Sequence, residues 1–203
     1  MIDSGIPHRN ADSGYRQRRH EVEEAARMLG VDRLRAITTD DLQRVQTLPQ
    51  PLRQRARHVV TENARVLAFR DALTATTIDL AHLGRLLADS HQSLRDDYQV
   101  SLPAIDVLVD IALATPGVLG ARLTGGGFGG SIVVLTEAEG AQESGGGLRR
   151  LTNNASGTRQ RSSLRARAVL LNDDSPTRRS RWPASFKARP MRTVTIGPTC
   201  ILR

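Results

Sequence analysis

Leu123-Thr-Gly-Gly-Gly-Phe-Gly-Gly130 separates two stretches of strand character, Val118 to Thr124 and Ser131 to Thr136, and this stretch decides the fold. Ile132-Val-Val-Leu135 is a continuous apolar run, as expected of a strand covered on both faces. A plain hairpin needs one or two glycines. Each further one costs roughly 0.5–1 kcal/mol relative to alanine in a regular element. The excess points to main chain brought close to something bulky, such as phosphate groups or another loop, although a glycine-rich turn without a ligand fits the spacing equally well. Gly125, Gly127 and Gly130 also satisfy G-x-G-x-x-G, but that dinucleotide fingerprint must open a helix, and a strand follows here. No Gly-Lys-Ser/Thr follows either, which excludes a Walker phosphate loop.

Upstream of this hairpin the pattern is helical. Val22, Ala25, Ala26 and Leu29 repeat at helical spacing within Tyr15 to Leu29, with Gly30 placed to end the helix. Thr39 is placed to cap a short helix carrying Leu42 and Val45. A long helix is predicted from Leu52 to Leu73, with the stripe Leu52, Ala56, Val59, Val60, Val66 and Leu67. The next starts near Thr77 and runs to about Leu94, with Leu80, Leu83, Leu86 and Leu87 inward. Pro103 opens a further helix whose buried face is Ile105, Leu108, Val109 and Ala112, and Pro116-Gly117 ends it. Helices followed by a late antiparallel pair predict an α+β fold, with helices packed on a small, mainly antiparallel sheet.

Charge divides the chain. Residues 1–140 hold 16 arginines against 18 acidic residues, whereas residues 141–203 hold 13 basic residues against Glu143, Asp173 and Asp174. The formal net charge of +8 therefore belongs to the tail. This argues against a nucleic-acid role for the main body, and Trp182 and Phe186 are too few for a stacking platform in the tail. No apolar run approaches the roughly 20 residues of a membrane span. Residues 1–19 show no secretory pattern, so a cytoplasmic location is expected. Cys200 is the only cysteine, so no disulfide can form within the chain. His58 and His91 lack ligand-spaced partners, which argues against a metal site. Asp96 and Asp97 suit a helix end or ion pairs. Arg55 and Arg57 read as a solvated helix face, and Glu21, Glu23 and Glu24 as complements to a helix dipole.

Leu123 to Gly130, with Pro116-Gly-Val-Leu-Gly-Ala-Arg122 before it, resembles the third sequence motif of galactokinases, sugar kinases of the GHMP family. Ser90-His-Gln-Ser-Leu-Arg-Asp-Asp-Tyr98, Arg55-Ala-Arg-His-Val-Val60 with Glu62-Asn63, and Ser13-Gly-Tyr15 with Arg18-Arg19 match in order and spacing, from about Ile2 to Leu135. The resemblance implies a GHMP-kinase C-terminal domain, incomplete at its C-terminal end. It implies ATP-dependent phosphorylation of D-galactose at its C1 hydroxyl, with ATP and Mg²⁺ as cofactors, in a monomer. Tyr15 resembles the residue that contacts galactose. Thr124, Gly125, Gly126, Gly127, Phe128, Gly129 and Gly130 resemble the loop that packs beside the phosphate-binding loop and substrate. The family's phosphate loop and its catalytic aspartate and arginine lie upstream of the matched segment. No residue of this chain is therefore assigned a catalytic role, and the chain alone is expected to be inactive. A non-catalytic, galactokinase-like sugar sensor is the competing expectation.

The match stops near Gly140 to Glu143. The expected organisation is thus a galactokinase-like region over 1–140 and a basic tail over 141–203, disordered or arising from a frameshift. A domain deprived of its last helix and strand is expected to be marginally stable and prone to aggregate.

Overall fold

The computed structural model describes residues 1–6 and 11–137, together with the backbone of 166–169, 193–196 and 201–202. Five helices precede the main hairpin. They are α1 (Ala11–Met28), the short α2 (Leu42–Gln46), α3 (Leu52–Thr74), α4 (Leu80–Asp96) and α5 (Pro103–Leu113). The strands are β1 (Ile2–Asp3), β2 (Val118–Thr124), β3 (Ser131–Thr136), β4 (Ala166–Val169), β5 (Thr193–Ile196) and β6 (Ile201–Leu202). They form one sheet in the order β2-β3-β1-β4-β5-β6, antiparallel at every neighbour. The α+β expectation holds, with helices against a small antiparallel sheet.

The register of the central hairpin runs from Thr124↔Ser131 through Leu123↔Ile132 and Ala121↔Val134, with a shift between Val118 and Gly120. On its other side β3 is paired at Ile132 with Ile2 and at Ser131 with Asp3, so both edges of its first two residues are satisfied. Of the apolar run in β3, Ile132 is fully buried and the rest is half-buried, so the reading of a strand covered on both faces holds at Ile132 only.

Two apolar clusters organise the molecule. One joins Ile2, Leu94, Val100, Ile105, Leu108, Val109, Ala112, Ala121, Leu123 and Ile132, and so packs α4 and α5 onto the sheet. The other, around Ala25, Ala26, Leu34, Ile37, Val45, Leu48, Ala56 and Val60, binds α1, α2 and the start of α3. The buried face predicted for α5 is the one observed. On α3 every buried position lies before Thr61, while Val66 and Leu67 are exposed. The predicted stripe thus outruns its partners.

Helix starts moved where a better cap stood nearby. The Thr38 N–H donates to Asp41 Oδ2 at 3.3 Å, so Thr38, not Thr39, closes the turn before α2. Asp79 Oδ1 accepts the His82 N–H at 2.9 Å, which starts α4 three residues after Thr77. α1 begins at Ala11, well before Tyr15. Glu21 therefore lies mid-helix, too far in to complement the dipole. The basic tail expected over 141–203 lies mostly outside the described residues.

Candidate functional site

Between β2 and β3 the chain runs through backbone conformations that L side chains rarely adopt. Gly125 sits at φ +91° and Gly127 at +84°. Gly127 also lies hard against α4's exit turn: a Cβ there would stand 2.5 Å from both Cβ and O of Val100. No side chain fits, which gives this glycine a steric reason. Phe128 is left-handed too, at φ +58°. Its N–H donates to Val100 O at 2.7 Å, and its ring lies over Gly14 of α1, where a Cβ would come within 2.6 Å of Cζ. The far limb is tied to the N-terminal segment: Ser4 N–H donates to Gly130 O at 2.9 Å, and Gly130 N–H to Ile6 O at 3.3 Å. The hairpin is thus held on three sides, by β1's extension, α1 and the turn after α4.

Tyr15 lies one residue beyond Gly14, and Gly126 faces its ring, a Cβ there falling 3.9 Å from Cδ2. Tyr15 is 54% exposed, so it is not a core side chain packed at a helix start. The structure therefore brings every residue singled out from the sequence, Tyr15 and Thr124 to Gly130, into one patch.

The turn behind that patch is held by a buried ionic cluster that periodicity did not reveal. Arg55 is 2% exposed, not solvated as expected. Its Nε donates to Glu21 Oε2 at 2.7 Å, its Nη2 to Gln99 Oε1 at 2.8 Å, and its Nη1 to the Asp97 carbonyl. Arg18 donates to both Glu21 oxygens, at 3.0 and 3.2 Å, and to Tyr98 O at 2.7 Å. Burial alone would raise the Glu21 carboxyl, but the Arg55 hydrogen bond and the charges of Arg18 and Arg55 outweigh it and hold the group below its ordinary range. Arg57 is the more exposed partner and pairs with Asp97. Asp96 pairs with Arg95, so both aspartates do the ion pairing expected of them. Two arginines two residues apart on a helix carry no sign of which is buried.

The histidines serve the scaffold. His58 Nδ1 meets Ser93 Oγ at 2.9 Å and its ring stacks on Tyr98 at 4.5 Å. His91 Nδ1 accepts the Leu123 N–H at 3.2 Å, while Nε2 faces Asp106 Oδ1 at 3.3 Å. Among the described residues no three His, Cys, Asp or Glu side chains gather as metal ligands. The hairpin itself presents chiefly main chain. Among the described residues no helix is long and apolar enough to cross a membrane.

Residues 69–145 match the family described as GHMP kinases C terminal. The chain is 51% identical over 149 residues to a galactokinase of Chloroflexus aggregans, covering 70% of this chain and 38% of that protein. It is 46% identical to galactokinases of Thermotoga neapolitana and Homo sapiens, over 137 and 142 residues. These alignments cover 68% and 70% of this chain, and 38% and 36% of the relatives. The chain therefore spans little more than a third of the length of these relatives. A crystal structure of Lactococcus lactis galactokinase complexed with galactose superposes with a TM-score of 0.70 at 29% identity, over 77% of this chain and 42% of that one. The segment folded around the glycine hairpin is thus a GHMP-kinase C-terminal domain of the galactokinase type.

Proposed function

We propose that this chain is the C-terminal part of a galactokinase, which transfers the terminal phosphoryl group of ATP, with Mg²⁺, to the C1 hydroxyl of D-galactose. The observation that carries the reading is the juxtaposition of an exposed Tyr15 with the glycine hairpin, in a chain 51% identical to a galactokinase over 70% of its length. In this reading the Tyr15 ring packs on a sugar face while its hydroxyl hydrogen-bonds. Thr124 to Gly130 shapes the site with main chain, lying beside a phosphate loop from the remainder of the kinase. That loop and the groups acting on the C1 hydroxyl belong to the part of the relatives that these 203 residues do not span. The chain alone therefore turns over no galactose. The working protein is a cytoplasmic monomer, in which residues 1–140 form the kinase domain and 141–203 a separate basic tail.

Galactose-dependent ATP consumption tests this directly. The chain by itself is expected to show none. Co-expression with the preceding portion of the Chloroflexus aggregans galactokinase is expected to restore it, and Tyr15→Ala to abolish the restored activity. Turnover by the chain alone, or restored activity indifferent to Tyr15→Ala, would overturn the assignment.

A further inference from the structure

Three consecutive carbonyls after α4 point at two guanidinium groups. Arg55 Nη1 donates to Asp97 O, Arg18 Nε to Tyr98 O at 2.7 Å, and Arg18 Nη2 to Gln99 O at 3.3 Å. Gln99, the third of these residues, sits in the left-handed region at φ +54°. The next residue is Val100, whose N–H returns to Leu94 O at 3.1 Å and whose carbonyl receives the Phe128 N–H at 2.7 Å. Val100 is also the residue that Gly127 abuts. The seat of the glycine hairpin is therefore built by the turn that Arg18 grips. Arg18 itself stands on α1, three residues beyond Tyr15.

We propose that Arg18 is a positioning residue for the candidate site, fixing the hairpin against Tyr15 by tying α1 to the carbonyls of Tyr98 and Gln99. The proposal deepens the galactokinase reading and rests on it for the role of Tyr15. Glu21 pairs with both Arg18 and Arg55, so the grip combines charge pairing with a fork geometry. Lysine keeps the charge but lacks the planar fork needed to hold two carbonyls and a carboxylate at once.

Amide hydrogen exchange on the full chain, wild type and Arg18→Lys, tests it. The Phe128 N–H is expected to exchange about tenfold faster in the variant, while amides of Ala121 and Val134 in the β2–β3 pair keep their wild-type rates. Those strand amides report in the same measurement whether the variant is folded. Should Arg18→Lys not accumulate, Arg18→Gln, which keeps one donor and drops the charge, is expected to give the same ordering. An unchanged Phe128 rate, or a rise shared by Ala121 and Val134, would overturn the proposal. Galactose titrated onto the same proteins, followed at the Tyr15 ring and Gly126 amide, is expected to bind about tenfold more weakly in the variant. Equal affinities also overturn the positioning role. If wild type shows no galactose shift while the exchange difference stands, the sugar reading fails and the positioning of the hairpin survives.

Discussion

Gly125 and Gly127 share a left-handed backbone but differ in what surrounds them. At Gly125 nothing stands within 4 Å of the point a Cβ would occupy, whereas at Gly127 the Val100 backbone and side chain block it. Alanine at 125 therefore meets only the left-handed penalty, about 1–2 kcal/mol. Alanine at 127 adds a collision with main chain that cannot swing aside, for a total of about 3–5 kcal/mol, in the range reserved for strain and overpacking. Urea unfolding of the two variants checks this, and equal losses would show that the collision is relieved cheaply. Tyr15 makes the opposite case. More than half exposed, it should tolerate alanine with a stability change within about 0.5 kcal/mol, while galactose binding is lost. A large loss of stability in Tyr15→Ala would reassign it to the scaffold. Of these residues the glycines and Tyr15 could be read from the sequence, because motif and composition mark them. The burial of Arg55 could not, since its partners Glu21 and Gln99 lie 34 and 44 positions away.

At the scale of elements, the crossing of α4 over β2 fixes the geometry beneath the site. Gly84 of α4 and Gly120 of β2 touch backbone to backbone: a Cβ on Gly84 would fall on the Leu119 carbonyl, and one on Gly120 on the backbone of Gly84. Alanine at Gly84 raises helix propensity by about 1 kcal/mol. It also forces the helix off the strand, so a net loss of about 3 kcal/mol or more is expected in thermal or urea unfolding. A stabilised Gly84→Ala would mean that helix and strand do not meet backbone to backbone. Elements were legible wherever a sequence period ran into a clear breaker. β2 and β3 occupy the predicted ranges, because a glycine run bounds both, and α5 begins at Pro103. Boundaries slipped at α2 and α4: Thr38, not Thr39, caps the turn that leads into α2, and Asp79, not Thr77, caps α4. Several nearby polar residues offered the same local chemistry, and tertiary packing chose between them. The exposed Val66 and Leu67 show the same limit, since a stripe announces a buried face without saying how far its partner reaches.

Over the whole molecule the ionic interior predicts how the fold responds to acid. Burial pushes His58 down to about 4. Arg65 and Arg122 work in the same direction, and Glu62 and Asp97 against it. His91 is lowered as well, first by burial, with Asp106 and Asp110 opposing and Arg95 adding to the shift. Both side chains are therefore neutral in the fold at neutral pH, whereas in the unfolded chain they take up a proton near pH 6.5. Below that pH the unfolded state binds more protons, so the stability present above 6.5 is lost as pH falls, until His58 itself titrates near 4. His58 alone contributes a loss of about 2 kcal/mol between pH 7 and pH 5. Glu21 and Glu62 extend the decline at lower pH. In both, burial raises the carboxyl but hydrogen bonds outweigh it, from Arg55 to Glu21 and from Ser90 and Arg65 to Glu62, and hold it below the ordinary range. Urea midpoints measured at pH 7.5, 6 and 5 are expected to fall steadily, and His58→Gln to flatten the curve between 7.5 and 5. A midpoint that is level or rises over that interval would contradict the neutral, buried state of His58. The decline bears on the site because the His58 ring stacks on Tyr98, whose carbonyl Arg18 holds. Protonating this histidine, which the fold postpones until near pH 4, loads the turn that seats the glycine hairpin, so the protection of the Phe128 amide relative to its intrinsic rate is expected to fall there before that of the β2–β3 amides.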